Sequence, residues 1–201
     1  MKQVKNYHKI SLIASIIITL IVLVFMLSGT SCTKIGVEKV YVIKANKHHS
    51  NRLPKFYNKE SVLIYFRVDS SWLYEPMKPD GWHKIGGFSE GNHHKSSARI
   101  TYQCRNGDEI HLAGYAYVND TSPQQDRSLK PYIGRIRVGE YYYCRIDRMA
   151  GRNYFDVWAV GYDFHTTVDC RAGKGKIGYL LYPHGFLVDH DRIFPVTFIK
   201  Q

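Results

Sequence analysis

Short stretches typical of β-strands dominate this sequence, and glycine, asparagine, aspartate or proline ends each of them. The stretches are rich in tyrosine, isoleucine and valine, which favour extended backbone. The sequence contains no long amphipathic helix with capping residues and no internal repeat. The predicted strands are 61–68, 97–104, 109–118, 132–138, 140–147, 154–162, 176–182 and 194–199.

Two short motifs predict where neighbouring strands turn. In "RNGD" (105–108), the Asn-Gly pair readily adopts the positive φ angles of a tight hairpin. "VGE" (138–140) predicts a second hairpin. Short strands joined by such turns predict an all-β chain that folds as an antiparallel two-sheet β-sandwich, with a barrel as the alternative.

The N-terminus has the layout of an export signal. Residues 1–9 are basic, residues 10–27 are mostly apolar, and the small residues 28–31 precede Cys32. This order resembles a bacterial lipoprotein signal, which implies lipidation of Cys32 and a protein anchored to the membrane of the cell envelope. Cleavage after Ser31 or an uncleaved anchor helix are the alternatives, and each of them exports the rest of the chain.

The chain is predicted to have three segments. A signal peptide or membrane anchor covers 1–31, a polar and basic tether covers 32–60, and a single β-sandwich domain covers 61–201. An early strand at 38–43 is compatible with the tether sequence.

Charge favours anionic partners over nucleic acid. The formal net charge is +11, and past Cys32 the balance remains basic because 25 of the 28 lysines and arginines lie there against all 17 acidic residues. This excess suits acidic glycans or lipid headgroups, although a solvated surface without a charged partner is an equally simple interpretation. No arginine-rich helix or nucleic-acid motif is present, so nucleic acid is not predicted as a partner. The sequence contains no cofactor motif and does not indicate an oligomeric state.

The cysteines are compatible with one disulfide. Cys104 ends the strand "SARITYQC", Cys144 lies in "EYYYCRID", and strand alternation directs both towards one core. A Cys104–Cys144 disulfide is therefore predicted for an exported domain, with buried free thiols as the alternative. The chain has no C-x-x-C, so no zinc site is predicted.

Alternation along 109–118 separates a core face from a polar, aromatic face. His111, Tyr115 and Tyr117 share the second face, and Arg99 lies on the same side of the preceding strand. Tyrosine rings stack on sugars, and a guanidinium binds hydroxyls or carboxylates. We therefore predict an exposed sheet surface that binds carbohydrate, with an ordinary solvated face as the alternative.

The stretch "GGFSEGNHHKSSARI" (86–100) is interpreted as a glycine-rich loop that leads into the strand with Arg99. Its two histidines, His93 and His94, are predicted to contact ligand or hold the loop. Their spacing matches no zinc motif, so no metal site is predicted. A lyase-like set of His, Tyr and Arg is conceivable, whereas the strands show no carboxylate pair of the glycosidase kind.

Two segments, "GFSEGNHHKSSARITYQCRNGDEIHLAGYAYVN" and "GKIGYLLYPHGFLVDHDRIFPVTFI", resemble a family of uncharacterised exported proteins of Bacteroidetes type. The resemblance rests on His93, His94, Ser97 and Arg99, then on 116–118 and the Tyr182 region. It implies a concanavalin-like two-sheet jelly roll and no established activity.

The sequence as a whole therefore predicts an exported, lipid-anchored β-sandwich that binds carbohydrate at the cell envelope. A polysaccharide lyase or hydrolase is the first alternative. A structural or protein-interaction lipoprotein without a small ligand is the second.

Overall fold

A computed structural model describes most of the chain beyond its N-terminal segment. All described residues belong to one unit of the chain, residues 36–201. The described residues are 38–50, 52–75, 81–175, 178–185 and 187–199.

The predicted signal or anchor at 1–31 and the lipidation site Cys32 lie outside the described residues. Within those that are described, no helix has the length and apolar character needed to cross a bilayer.

Two separate six-stranded antiparallel sheets form the fold, so the predicted all-β sandwich is confirmed and the barrel alternative is wrong. Sheet 1 contains, in spatial order, β1 (Lys39–Ile43), β12 (Arg192–Ile199), β3 (Ser61–Arg67), β8 (Tyr141–Met149), β9 (Arg152–Ala159) and β10 (His165–Arg171).

Sheet 2 faces sheet 1 across the core. It contains, in spatial order, β2 (Lys55–Phe56), β11 (Gly178–Leu181), β4 (His83–Glu90), β5 (Ser96–Arg105), β6 (Glu109–Val118) and β7 (Tyr132–Ile136). Two short 3₁₀ turns, Ser70–Trp72 and Arg127–Leu129, lie in the connections.

Alternate residues of the strands fill the space between the sheets. In β3, Val62, Ile64 and Phe66 are buried while the residues between them are half-buried on the outer face. At the centre, the ring of Trp72 stacks on that of Tyr102 with centroids 4.4 Å apart. Burial of these apolar side chains supplies the main favourable free energy of folding.

A buried ion pair ties the two sheets together at one edge of the core. Arg148 of β8 lies 2.7 Å from the Glu90 carboxylate of β4 and donates to Ser96 Oγ at 2.8 Å. Its Nε donates to Asn153 Oδ1 at 3.0 Å. Such a pair stabilises the fold only when the remaining donors and acceptors are also bonded, as most are here.

One predicted turn is confirmed and the other is corrected. Asn106 and Gly107 have φ angles of 53° and 77°, the positive values expected for the β5–β6 hairpin. "VGE" does form a turn at Gly139, but it connects β7 of sheet 2 to β8 of sheet 1. It is therefore a crossover between sheets and not a hairpin.

The predicted glycine-rich loop is largely a strand. Gly86 and Gly87 lie inside β4, and only residues 91–95 form the turn that carries the two histidines. A Cβ on Gly87 would lie 2.0 Å from the Ala98 carbonyl oxygen of β5. Glycine at this position therefore lets the backbones of β4 and β5 approach closely. Because glycine is also common in loops, the composition of this segment did not indicate a strand.

The sequence did not predict the strands β2 and β10, whereas β1 matches the early strand expected at 38–43. The edge strand β10 is mostly exposed and has few apolar residues. Strands β1 and β2 lie within the predicted tether, and Tyr41, Ile43 and Tyr57 of that region are buried in the core. The described part of 32–60 thus differs from a tether and belongs to the sandwich.

The predicted Cys104–Cys144 disulfide is not formed, and both residues are buried free thiols, as is Cys170. Cys104 and Cys144 do face the same core, but from opposite sheets. Packed sheets lie about 10 Å apart, whereas a disulfide needs Cα atoms within about 4.4–6.8 Å. The Cys104 thiol instead accepts from the Tyr74 N–H at 3.4 Å.

We expect Cys104, Cys144 and Cys170 to react completely with an alkylating reagent in denaturant without reductant. In the native protein they should react slowly, because burial hides them and raises the pKa of each thiol. Mass spectrometry of the labelled peptides measures the extent of alkylation under each of the two conditions. Two thiols that react in denaturant only after reduction would show that a disulfide forms.

Candidate functional site

A pocket of about 480 Å³ lies over the outer face of sheet 2. Three elements surround it: the β4–β5 turn, the segment after β11 and the connection from β1 to β2. We call it the Arg99 pocket. Its basic and imidazole side chains are Arg52, Lys84 and Arg99, with His49, His93, His94 and His184.

Arg99 of β5 is the most unusual side chain of the pocket. Only 7% of it is exposed, and among the described residues it forms no ion pair. Its buried Nε has no hydrogen-bond partner there. Burial lowers the pKa of Arg99 to about 10. A guanidinium in this position is costly unless an anion or solvent satisfies it.

Gly87 and Tyr115 place Arg99 within the sheet. They are its cross-strand neighbours on β4 and β6, so their side chains share its face. The missing side chain of Gly87 lets the β5 backbone approach closely at Ala98 and Arg99. Tyr115 is buried and exchanges hydrogen bonds with the Gln124 amide at 2.9 and 3.1 Å.

Lys84 of β4 adds a second buried cation. Its Nζ donates to the Trp82 carbonyl at 3.0 Å and lies 4.7 Å from the centre of the Tyr115 ring. Burial, and then the charges of Arg99 and Lys130, lower the pKa of Lys84 to about 7. Lys84 therefore changes charge near neutral pH, and a nearby anion would favour its charged form.

Two histidines of the pocket, the exposed His93 and the half-buried His184, are neutral at pH 7. Burial and the Arg99 charge lower the pKa of His93 to about 4, and burial and the Lys84 charge lower that of His184 to about 3. His184 also lies near both His48 and His49, with ring centroids 6.2 and 6.3 Å away. Its buried Nδ1 has no partner in the described part of the chain.

The β4–β5 turn holds the two adjacent histidines together. The Asn92 side chain accepts from the His94 N–H at 3.0 Å, and the Asp120 N–H donates to the His94 carbonyl at 3.1 Å. The rings of His93 and His94 lie 4.0 Å apart, and His94 packs edge-on against Tyr117 at 4.8 Å. These contacts make one wall of the pocket aromatic.

None of the described residues that line the Arg99 pocket is acidic. The contrast with Arg148 is direct, because that equally buried arginine has Glu90 at 2.7 Å. Two groups of its lining residues, the Arg99 Nε and the His184 Nδ1, lack a hydrogen-bond partner in the described part of the chain. The pocket thus combines positive charge that no described acid compensates with unused hydrogen-bonding groups, a combination suited to an anion.

Four of the six predicted ligand-binding residues line this pocket, namely His93, His94, Arg99 and Tyr117. Tyr115 lies beneath Lys84 and supports the floor. His111 lies four residues from Tyr115 along β6, where it contacts the Tyr132 hydroxyl at 2.9 Å and the Glu109 carboxylate at 3.1 Å. It belongs to a separate structural network.

The predicted exposed sheet surface is wrong. Arg99, His111 and Tyr115 are less than 10% exposed, and Tyr117 is half-buried. One reason is that Trp82 packs on Ala113 and Tyr115 and covers that part of the outer face of sheet 2. The Arg99 pocket lies at the end of the same face.

Sequence reasoning missed Lys84, His184, His49 and Arg52. Lys84 was missed because the sequence did not predict the strand β4, and the other three lie in connections that the strand pattern does not place. The paired "HH" at 48–49 and the buried "YPHG" segment were signals, but only tertiary structure brings them to Arg99.

The outer face of sheet 1 is a second candidate surface, and its geometry argues against ligand binding. Tyr65, Tyr143 and Trp158 are cross-strand neighbours, and Tyr141 flanks them. The rings of Tyr65 and Tyr141 stack at 5.4 Å, and those of Tyr143 and Trp158 at 5.3 Å. Because the ring faces are occupied by one another, this ladder stabilises the sheet.

Metal ligation has no support in the described residues, where no group of three or more His, Cys, Asp or Glu side chains is placed to hold an ion. The histidines of the Arg99 pocket are therefore better suited to hydrogen bonding and ring contacts.

No protein-family profile and no curated protein sequence matches the chain. The resemblance to an exported Bacteroidetes-type family thus stays a prediction.

Several solved structures are similar to this one at a low level. A carbohydrate-binding module (CBM2) of the evolved Dit protein of Lactobacillus casei BL23 phage J-1 has a TM-score of 0.44 and 10% identity, covering 79% of this chain and 74% of that one. The alginate lyase from Klebsiella pneumoniae has a TM-score of 0.40 and 14% identity, covering 70% of this chain and 60% of the lyase. A human galectin-16 variant has a TM-score of 0.37 and 10% identity, covering 74% of this chain and 94% of the galectin. At these values the likenesses give no information on ligand or activity.

We expect Arg99→Met to raise the free energy of unfolding by about 1–3 kcal/mol, because it removes a buried charge that has no acidic partner. Arg148→Met is the matched control. It should lower stability by about 3–5 kcal/mol, since it leaves the Glu90 carboxylate unpaired. Urea unfolding measures both. A loss of stability in Arg99→Met would mean that Arg99 is a structural residue.

Proposed function

We propose that this protein is exported and anchored at the cell envelope, and that its β-sandwich binds acidic carbohydrate in the Arg99 pocket. The observation that carries the proposal is the buried Arg99 guanidinium, which has no acidic partner among the described residues. A uronate carboxylate accepts the paired donors of a guanidinium, and Lys84 beside it adds a second positive charge.

Pocket shape and lining favour a sugar over a simple inorganic anion. The volume of about 480 Å³ is typical of small-molecule sites. His94 and Tyr117 supply aromatic contacts, and neutral His93 and His184 can exchange hydrogen bonds with hydroxyl groups. A charged group at the base and rings at the wall suit a polar ring that bears one carboxylate.

Export and lipidation at Cys32 are supported by the sequence of the first 32 residues. The basic start, the apolar run and the small residues before Cys32 form the basis of this part of the proposal. An acidic glycan of the cell envelope would be available to a domain held at that surface.

A polysaccharide lyase is the second candidate, favoured by the neutral imidazoles beside Arg99. In β-elimination a base removes the proton next to the carboxylate, the C–O bond to the leaving sugar breaks, and that oxygen takes up a proton. Neutral His93 or His184 can accept a proton, and Arg99 would stabilise the charge that develops on the carboxylate. A two-carboxylate hydrolase has no support in this pocket, since its described lining contains no acid.

On a glycan array, we expect the full-length protein to bind uronate-containing glycans and not their neutral counterparts. Arg99→Met should weaken this binding about 10–100-fold, as expected for loss of hydrogen bonds to a charged group. Arg135→Met removes an exposed arginine of β7 that pairs with Glu109 away from the pocket, and it should bind normally.

Equal binding of neutral and uronate glycans, or no effect of Arg99→Met, would contradict the site. Each bound glycan is also incubated with the protein and its ultraviolet absorbance followed. A new C=C double bond in the product, lost in Arg99→Met, would establish the lyase alternative.

Affinity for a uronate should fall as the pH rises above about 7. In the free protein the pKa of Lys84 is about 7, and a bound carboxylate favours the protonated amine, so binding takes up a proton above that pH. Arg99, with a pKa of about 10, stays charged throughout. Titration calorimetry from pH 6 to 9 should show that the wild-type protein loses several-fold in affinity for the uronate. The Lys84→Met variant should lose almost none. The same pH dependence in both would exclude Lys84 as the cause.

A further inference from the structure

A second pocket adjoins the Arg99 pocket on the outer face of sheet 2. Its volume is about 300 Å³. The two pockets share three lining residues, Pro54, His93 and Leu181, so they form one continuous depression with His93 at the boundary. Tyr179 of β11 lines the far side of the second pocket.

The strand register explains why this depression crosses the sheet. Tyr179 lies opposite Ser89, Ser89 opposite Ser97, and Ser97 opposite Tyr117. Paired residues of neighbouring strands share a face, so two small serines lie between two tyrosines. Ser89 is one of the residues that line the second pocket, so small side chains separate the two tyrosines across the four strands.

The distance between the two tyrosines exceeds one sugar ring. Tyr179 on β11 and Tyr117 on β6 are separated by three strand spacings, or roughly 14 Å. A single monosaccharide in the Arg99 pocket would leave the Tyr179 end of the depression empty.

The two pockets differ in charge. Arg99 and Lys84 line only the first pocket. The described lining of the second pocket contains one histidine and no lysine or arginine. That histidine, His93, is neutral at pH 7 because burial and the Arg99 charge lower its pKa to about 4. Tyr179, Pro54 and Leu181 make the second pocket mostly apolar, with Ser89 and Asn92 as its polar groups.

We infer that the ligand is an oligosaccharide that occupies both pockets, with a carboxylate at Arg99 and the apolar face of the next ring against Tyr179. The inference rests on the proposed function and adds the chain length and orientation of its ligand. Continuity of the two pockets through His93 favours a connected ligand over two separate ones.

The test uses titration calorimetry of the full-length protein with galacturonate, mannuronate and glucuronate, and with their oligomers of two to four units. In whichever series binds, affinity should rise at least fivefold from one unit to two or three and then level off. Tyr179→Ala should abolish this rise while it leaves affinity for the monosaccharide within about twofold. Phe56→Ala is the matched control, because Phe56 is the exposed register partner of Tyr179 and lies outside both pockets.

The outcomes separate this inference from the proposed function. Equal affinity for one unit and for several, with binding still lost in Arg99→Met, would overturn the oligosaccharide inference and leave the acidic-carbohydrate site standing. If the affinity of the Tyr179→Ala variant still rises from one sugar unit to two or three, the oligosaccharide inference is also overturned. If no series binds, both proposals fail.

Discussion

Burial of sheet 2 on both of its faces is the constraint on which this structure depends. The inner face packs against sheet 1 around Trp72 and Tyr102, and the outer face is covered by Trp82. Polar residues of β5 such as Arg99 and Thr101 are consequently buried although they alternate with core residues. Thr101 is satisfied by the Ala113 carbonyl at 2.9 Å, but Arg99 has no comparable partner in the described part of the chain. The open space over the outer face therefore lies at the end of the sheet that holds the Arg99 pocket.

The Arg99 pocket concentrates positive charge at a cost in stability. Arg99 and Lys84 lower the pKa values of the histidines around them, and burial lowers their own. The buried Arg148 shows how the same fold satisfies an arginine when its role is structural, with a carboxylate and two further acceptors. Sites that bind charged ligands commonly retain such unfavourable electrostatics, because the ligand supplies the missing partner.

The two aromatic regions of the sandwich show why composition alone misleads about binding. In the cluster on the outer face of sheet 1, the rings of Tyr65, Tyr141, Tyr143 and Trp158 pack on one another and leave little ring surface for a ligand. The rings on the outer face of sheet 2 lie beside cations and small residues. Strand register places Ser89 and Ser97 between Tyr179 and Tyr117.

Alternation and turn chemistry in the sequence determined the all-β class, most strand positions and the inward direction of Cys104 and Cys144, because these depend on local backbone preferences with a period of two residues. The same local pattern suggested His93, His94, Arg99 and Tyr117, which are near one another along two strands and the turn between them. Tertiary structure alone decided that Lys84 and His184 join them, that His111 does not, and that the two cysteines stay unpaired. Those outcomes depend on sheet order, on the separation of the sheets and on what covers an outer face, and no local pattern of residues encodes such distances between remote segments.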